Sequence, residues 1–106
     1  MPKYLIRASY TSEGVKGVLS EGGSSRKQAV SKLVEDLGGK LESMYFAFGE
    51  DDVIVIIDFP DNVTATAVSM TVAATDLVRT QTTVLLTPEE LDEAARKSVP
   101  FRGPGR

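Results

Sequence analysis

The run VIVIID, from Val53 to Asp58, constrains the fold of this chain more than any other segment. Successive side chains of a strand point to opposite faces. One face of this run would carry Val53, Val55 and Ile57, and the other would carry Ile54, Ile56 and Asp58. Both faces are therefore substantially apolar. A sheet built around this strand needs cover on two sides, and a single layer of helices supplies only one of them.

Hydrophobic periodicity and end-marking residues divide the rest of the chain into helices and strands. Ser25 and Gln28 have the spacing of a capping box at the start of the strongest helical pattern. In chain order, the pattern predicts a strand over 3–10, a short helix from Thr11 or Ser12 that four glycines weaken, a helix from Ser24 or Ser25 to Leu37, strands over 40–48 and 53–59, a helix from Asp61 or Asn62 to about Thr75, a strand over 77–87 and a helix that begins at Pro88.

This order of elements predicts an α+β fold of the ferredoxin-like βαββαβ type. It has a four-stranded antiparallel sheet, both main helices on one face, and an extra C-terminal helix. At 106 residues the chain fits one domain. We assign residues 1–97 to that domain and expect residues 98–106 to form a flexible C-terminal tail.

The uncovered face of the predicted sheet has three candidate covers. If ~400 Å² of apolar surface remained in water, burial at roughly 25 cal/mol/Å² would favour covering it by about 10 kcal/mol. A sheet from a second copy is the simplest cover, and we expect a homodimer or a higher homo-oligomer. The alternatives are a face left in water and a terminal helix folded across the sheet, for which Leu91, Ala94 and Ala95 offer a thin apolar stripe.

Composition excludes several classes of site. The chain contains no cysteine, which excludes disulfides and thiolate zinc sites. It also contains no histidine, which excludes Ser-His-Asp and Cys-His catalysis and metals bound by histidine. The net charge of −3 disfavours a nucleic-acid partner. No apolar run approaches the ~18 residues of a membrane span, and the stretch MPKYLIRASY lacks the long apolar region expected of a signal peptide. We therefore expect a cytoplasmic protein with no membrane partner and no cofactor.

Three stretches of the chain resemble the GYD domain family, and the resemblance spans roughly residues 3–95. The stretches are YLIRASYTSEG, EGGSSRKQAVSKLVEDLGGKLESMYFAFGEDDVIVIIDFPDN and TTVLLTPEELDEA. The family resembles the dimeric α/β barrels, so the resemblance implies two ferredoxin-like units packed sheet against sheet. Gly49 and Asp52 match the family's name motif, as do Pro60 and Asp61. Asp51 stands where the family usually carries tyrosine, so this position offers no aromatic hydroxyl.

Two groups of polar residues are candidates for a functional site. The acids Glu50, Asp51 and Asp52 could bind a metal ion, but glutamate, aspartate and glycine are also what a solvated hairpin turn prefers, and we favour the turn. Polar side chains projected from strands beside a cavity under the helices could orient a small ligand. An alternative for Arg7, Glu42 and Arg79 is a structural ion pair. The candidates for ligand binding are Arg7, Tyr10, Glu42, Tyr45, Arg79 and Gln81.

These observations favour a homo-oligomeric protein that binds a small apolar or aromatic molecule. An alternative function is a cofactor-independent oxygenase or isomerase that uses Tyr10 or Glu42 as acid or base. A third is a regulatory or scaffolding subunit for another protein. No catalytic set is recognisable in the sequence.

Overall fold

The computed structural model describes residues 1–106 as a four-stranded antiparallel sheet with helices packed on one face. The strand order is β2-β3-β1-β4, with α2 against β2 and α3 against β4. The predicted α+β, ferredoxin-like architecture is therefore confirmed. The elements are β1 (Lys3–Tyr10), α1 (Ser12–Glu21), α2 (Gly23–Asp36), β2 (Lys40–Phe46), β3 (Val53–Asp58), α3 (Asn62–Ala74), β4 (Val78–Leu85) and α4 (Pro88–Ala95).

The core is a thin layer between the helices and one face of the sheet. Only ten of the 106 residues are buried, so little apolar side-chain surface is hidden within the single chain. The rings of Tyr4 and Phe59 lie 5.9 Å apart at 55° within this layer, toward the end of the sheet where β1 begins and β3 ends. The buried apolar residues are Tyr4, Ile6, Ala8, Val34, Val53, Val55, Ile57, Phe59 and Ala65.

The opposite face of the sheet carries no helix, and we call it the open face. Strand pairing opposes Leu5 and Ile56, and Arg7 and Ile54, across the centre of this face. These side chains alternate with the buried ones, as the period of two requires. The apolar side chains of the face are only partly hidden by their neighbours. The sequence-based expectation of two apolar faces therefore holds for β3, whereas β1 adds only Leu5 to the open face, beside the polar side chains of Lys3, Arg7 and Ser9.

Strand β2 departs from the simple alternation expected from its sequence. Leu41 pairs with Ile57 but Ser43 pairs with Ile56, so one extra residue, Glu42, lies in a β-bulge between them. The sequence, taken with a strict period of two, predicts Leu41, Ser43 and Tyr45 on one face and Glu42, Met44 and Phe46 on the other. The bulge instead moves Leu41 to the face of Met44 and Phe46. The side chains that share the helix side are Leu41, Met44 and Phe46, while Ser43 and Tyr45 lie on the open face.

Helix α1 is better defined than the four glycines of its segment suggest, and it contains only two of them, Gly14 and Gly17. The Thr11 hydroxyl accepts a hydrogen bond from the backbone N–H of Gly14 and caps the helix. Gly14 is buried where a Cβ atom would lie 2.1 Å from the carbonyl oxygen of Leu77. A glycine is therefore required at this contact, and it lets the helix approach the start of β4.

Helix α2 begins earlier than its predicted serine cap. Its N-cap is Gly22, at a φ of 88°, and no side chain caps it. Ser25 lies inside the helix, and its hydroxyl donates to Oε1 of Glu21 at 3.1 Å. Because glycine readily adopts a positive φ, the chain turns at Gly22 and the capping-box spacing of Ser25 is not used.

Helix α4 and the residues after it project away from the sheet. All side chains from residue 86 to 102 are exposed. The radius of gyration is 17.0 Å, whereas a compact chain of this size has about 13 Å. The terminal helix therefore does not cover the open face of its own sheet, and that alternative is wrong. None of the helices combines the length and apolar character needed to cross a membrane.

Candidate functional site

An apolar cavity of about 100 Å³ lies between the helix side of the sheet and helices α2 and α3. Strands β1 and β3 supply half of its lining residues, because their side chains on this face point toward the helices. Arg26 of α2, Thr80 of β4 and the hydroxyl of Tyr10 are its polar groups. The lining residues are Ile6, Ala8, Tyr10, Arg26, Val30, Met44, Val53, Val55, Ile57, Val72, Val78 and Thr80.

Tyr10 is the one predicted ligand-binding residue that lines this cavity. It ends β1, and its backbone N–H donates to Oδ2 of Asp52 at 2.8 Å, which fixes the strand end. Burial raises the pKa of the Tyr10 hydroxyl above its ordinary value of 10.0, and the neighbouring Arg26 opposes that rise. The phenol is therefore protonated at neutral pH and can both donate and accept a hydrogen bond.

Arg26 is a cavity residue that the sequence analysis missed. It lies beside the Tyr10 phenol, and its Nη1 atom is 3.8 Å from Oε2 of Glu21. The sequence spacing could have identified this residue. Arg26 precedes Val30 by four residues and Val34 by eight, so it lies on the same side of α2 as the apolar stripe. A guanidinium at the edge of an apolar cavity supplies hydrogen-bond donors and a positive charge.

A second, polar cleft of about 360 Å³ lies at one end of the open face. Nη2 of Arg7 donates to Oε1 of Gln81 at 2.8 Å, and Nη1 of Arg7 is 3.9 Å from Oδ2 of Asp51. Arg79 lines the same cleft. The expectation that Arg7, Arg79 and Gln81 flank the cavity under the helices is wrong. Their positions in β1 and β4 have the opposite parity to the buried residues, so they point to the other face.

Glu42 and Tyr45 also lie away from the cavity. Nζ of Lys3 is 2.9 Å from Oε1 of Glu42 and 2.9 Å from Oδ1 of Asp58, and hydrogen bonds to Asp58 and then to Glu42 raise the pKa of Lys3. Tyr45 is 70% exposed on the open face, opposite Ile54. Glu42 and Arg7 thus have different ionic partners, and an acid–base role in the cavity would fall to Tyr10 alone.

The three acids of the hairpin loop have separate surroundings. Asp51 lies beside Arg7, Asp52 bonds to the backbone of Tyr10, and Glu50 is exposed. The structure contains no group of three acidic side chains that could hold a metal ion. A Cβ atom added at Gly49 would meet nothing within 4 Å, and the φ of this residue is not positive, so neither space nor strain requires glycine there.

Comparison with known protein families matches the GYD domain to residues 4–95. The chain belongs to the GYD domain family. The match begins within β1 and ends at the last residue of α4, so this GYD domain includes the projecting helix as well as the sheet. A comparison with curated proteins finds no significant match.

Proposed function

We propose that this GYD domain binds a small apolar or aromatic molecule in the cavity between the sheet and α2 and α3. The observation that carries the proposal is the combination of an apolar wall with two polar groups, Tyr10 and Arg26, at one end. Binding sites for small molecules commonly have this composition, because apolar contacts supply affinity and a few polar groups fix the orientation.

The size of the cavity restricts the ligand. Its volume of about 100 Å³ is below the ~300 Å³ at which drug-sized ligand pockets begin. A void of about 150 Å³ in another protein accommodates benzene. A one-ring molecule would therefore fit after a small movement of a flexible neighbour such as Met44. A hydroxyl or carboxylate on the ring would find donors in Tyr10 and Arg26.

Titration with phenol and benzoate, followed by NMR of methyl groups, tests this proposal. We expect the methyl signals of Ala8, Val30 and Met44 to shift, and Arg26→Met to weaken benzoate binding by roughly tenfold through loss of a charged hydrogen bond. Arg79→Met is the matched control, since it removes the same charge from the opposite face, where Arg79 lines the polar cleft, and should leave affinity unchanged. Shifts confined to open-face residues would contradict the assignment of the cavity.

We also propose that the protein self-associates through its open face. The support is the uncovered apolar centre of that face, formed by Leu5, Ile54 and Ile56 with the exposed ring of Tyr45 beside them. Its two ends carry charges of both signs, with Lys3 and Asp58 at one end and Arg7 and Asp51 at the other. An apolar centre with a polar rim is the arrangement found in stable protein interfaces.

Multi-angle light scattering of wild type and Ile56→Lys at micromolar concentration tests self-association. We expect at least a dimer for the wild type and a monomer for the variant, because a lysine at the centre of the interface would be buried without a partner. Leu19→Lys is the control, since Leu19 is an 81% exposed apolar residue on α1 and lies outside the sheet. A monomeric wild type would overturn the proposal.

A further inference from the structure

The segment from residue 86 to residue 106, which we call the arm, contains α4 and a basic tail. Its polar side-chain contacts are internal, since the hydroxyl of Thr87 and the carboxylate of Glu90 form a reciprocal capping box. None of the ion pairs in the structure joins the arm to the rest of the chain. The arm therefore has no stabilising surface within its own copy.

The helix in the arm needs such a surface. Isolated helices shorter than about 12 residues are marginal in water, because nucleation is costly and few hydrogen bonds follow it. Helix α4 has eight residues, yet it carries a complete capping box and a proline at its start. Its apolar residue Leu91 is 61% exposed, and Phe101 in the tail is 78% exposed. A second molecule that buries these side chains would stabilise the helix.

Charge and length favour a second copy of this chain as that molecule. Residues 96–106 carry four lysines and arginines and no acid, whereas residues 1–85 carry eleven aspartates and glutamates against eight lysines and arginines. The tail is thus complementary in charge to the domain of another copy. The 21 residues of the arm are also about the number that one partner contributes to an interface of standard size.

We propose that the arm is exchanged between copies: α4 and the basic tail of one copy pack on residues 1–85 of the other, and the reverse. This inference rests on the proposed self-association. Reciprocal exchange would give both arms a docking surface in one closed assembly, as the two-fold symmetry of most homodimers allows. It would also explain why the chain is extended although its domain is small.

Photocrosslinking of the full-length chain tests the exchange. Copies that carry benzoylphenylalanine in place of Phe101 are mixed with probe-free copies that carry a mass tag, and the mixture is equilibrated and irradiated. We expect a covalent product of one probe chain and one tagged chain, with the crosslink in residues 1–85 of the tagged chain. Crosslinks only within the probe's own chain, in a sample that light scattering shows to be dimeric, would overturn the exchange and leave the dimer intact.

A pair of arm variants provides a second measurement on the same assembly. Leu91→Asp should raise the dimer dissociation constant at least about tenfold, because it places a charge in the apolar contact. Leu91→Met keeps an apolar side chain at the same position, adds no charge to the arm, and should change that constant by less than about twofold. Equal constants for both variants and wild type would overturn the exchange. A wild-type chain that is monomeric throughout would overturn it together with self-association.

Discussion

At the scale of single residues, two glycines of α1 have opposite roles. Gly14 lies against the backbone of Leu77, where there is no room for a Cβ atom. Gly17 is exposed on the same helix, and a Cβ atom there would meet nothing within 4 Å. The sequence alone presents both as residues that weaken the helix. Their difference depends on a contact with a residue more than sixty positions away, which helical propensity does not contain.

This difference predicts opposite effects of one substitution. We expect Gly14→Ala to destabilise the protein by about 1–3 kcal/mol, because the new methyl group would overlap a backbone carbonyl that cannot easily move. Gly17→Ala should stabilise it by about 0.5–1 kcal/mol, since alanine loses less backbone entropy in a helix. Urea denaturation of the two variants beside the wild type measures both changes, and equal effects would argue against the close approach of α1 to β4.

Asp61 gives stability a dependence on acid pH. Its carboxylate accepts a hydrogen bond from the backbone N–H of Thr64 at 2.8 Å, and this contact lowers the pKa of Asp61 below its ordinary value of 3.8. A lowered pKa in the folded state stabilises the fold above pH 3.8, and that contribution is lost as the pH falls through the folded value. Asparagine can cap a helix equally well but does not titrate.

We therefore expect wild type and Asp61→Asn to have similar stability at pH 7 and to differ in their response to acid. Below pH 3.8 the wild type should lose stability more steeply, because its cap becomes protonated. Urea denaturation over a series of pH values between about 2 and 7 measures the two slopes. Parallel curves would show that the pKa of Asp61 is not lowered by the cap.

At the scale of elements, the β-bulge in β2 decides which side chains of that strand face the helices. The extra residue, Glu42, allows Leu41 and Met44 to face the helices although they are three positions apart. A strict period of two cannot produce this arrangement. The sequence therefore predicted the strand correctly, but its assignment of Leu41 to the face of Ser43 and Tyr45 was wrong. The period remained valid in β1 and β3, whose hydrophobic alternation is uninterrupted.

Deletions in β2 test the bulge. Removing Glu42 should be tolerated, because it takes out the extra residue and leaves Leu41 and Met44 on the helix side. Removing Tyr45 should be more destabilising, since Phe46, the last residue of the strand, would leave the helix side and its pairing with Val53 would be lost. Circular dichroism and thermal unfolding compare the two variants. Loss of structure on deletion of Glu42 alone would argue against the bulge register.

At the scale of the whole molecule, the sequence predicted the architecture well and the site poorly. The doubly apolar pattern of Val53–Asp58 and the order of helical and strand periods determine the α+β sheet, and both are local properties of the chain. The cavity depends instead on which strand face meets which helix. Arg7 and Tyr10 are three residues apart on one strand, so the period of two already places them on opposite sides of the sheet. Arg26, by contrast, joins Tyr10 only through the packing of α2, which no local pattern contains.

The hairpin loop gives the sheet a mechanical link between its two sides. Asp51 contacts Arg7 on the open face, while the next residue, Asp52, bonds to the backbone of Tyr10 at the cavity. Because Asp51 and Asp52 are joined by one peptide unit, a movement of Asp51 would also displace Asp52. If the proposed second copy engaged Arg7 and this moved Tyr10, the affinity of the cavity for the proposed ligand would change, and by thermodynamic reciprocity the occupied cavity would change the strength of pairing by the same factor.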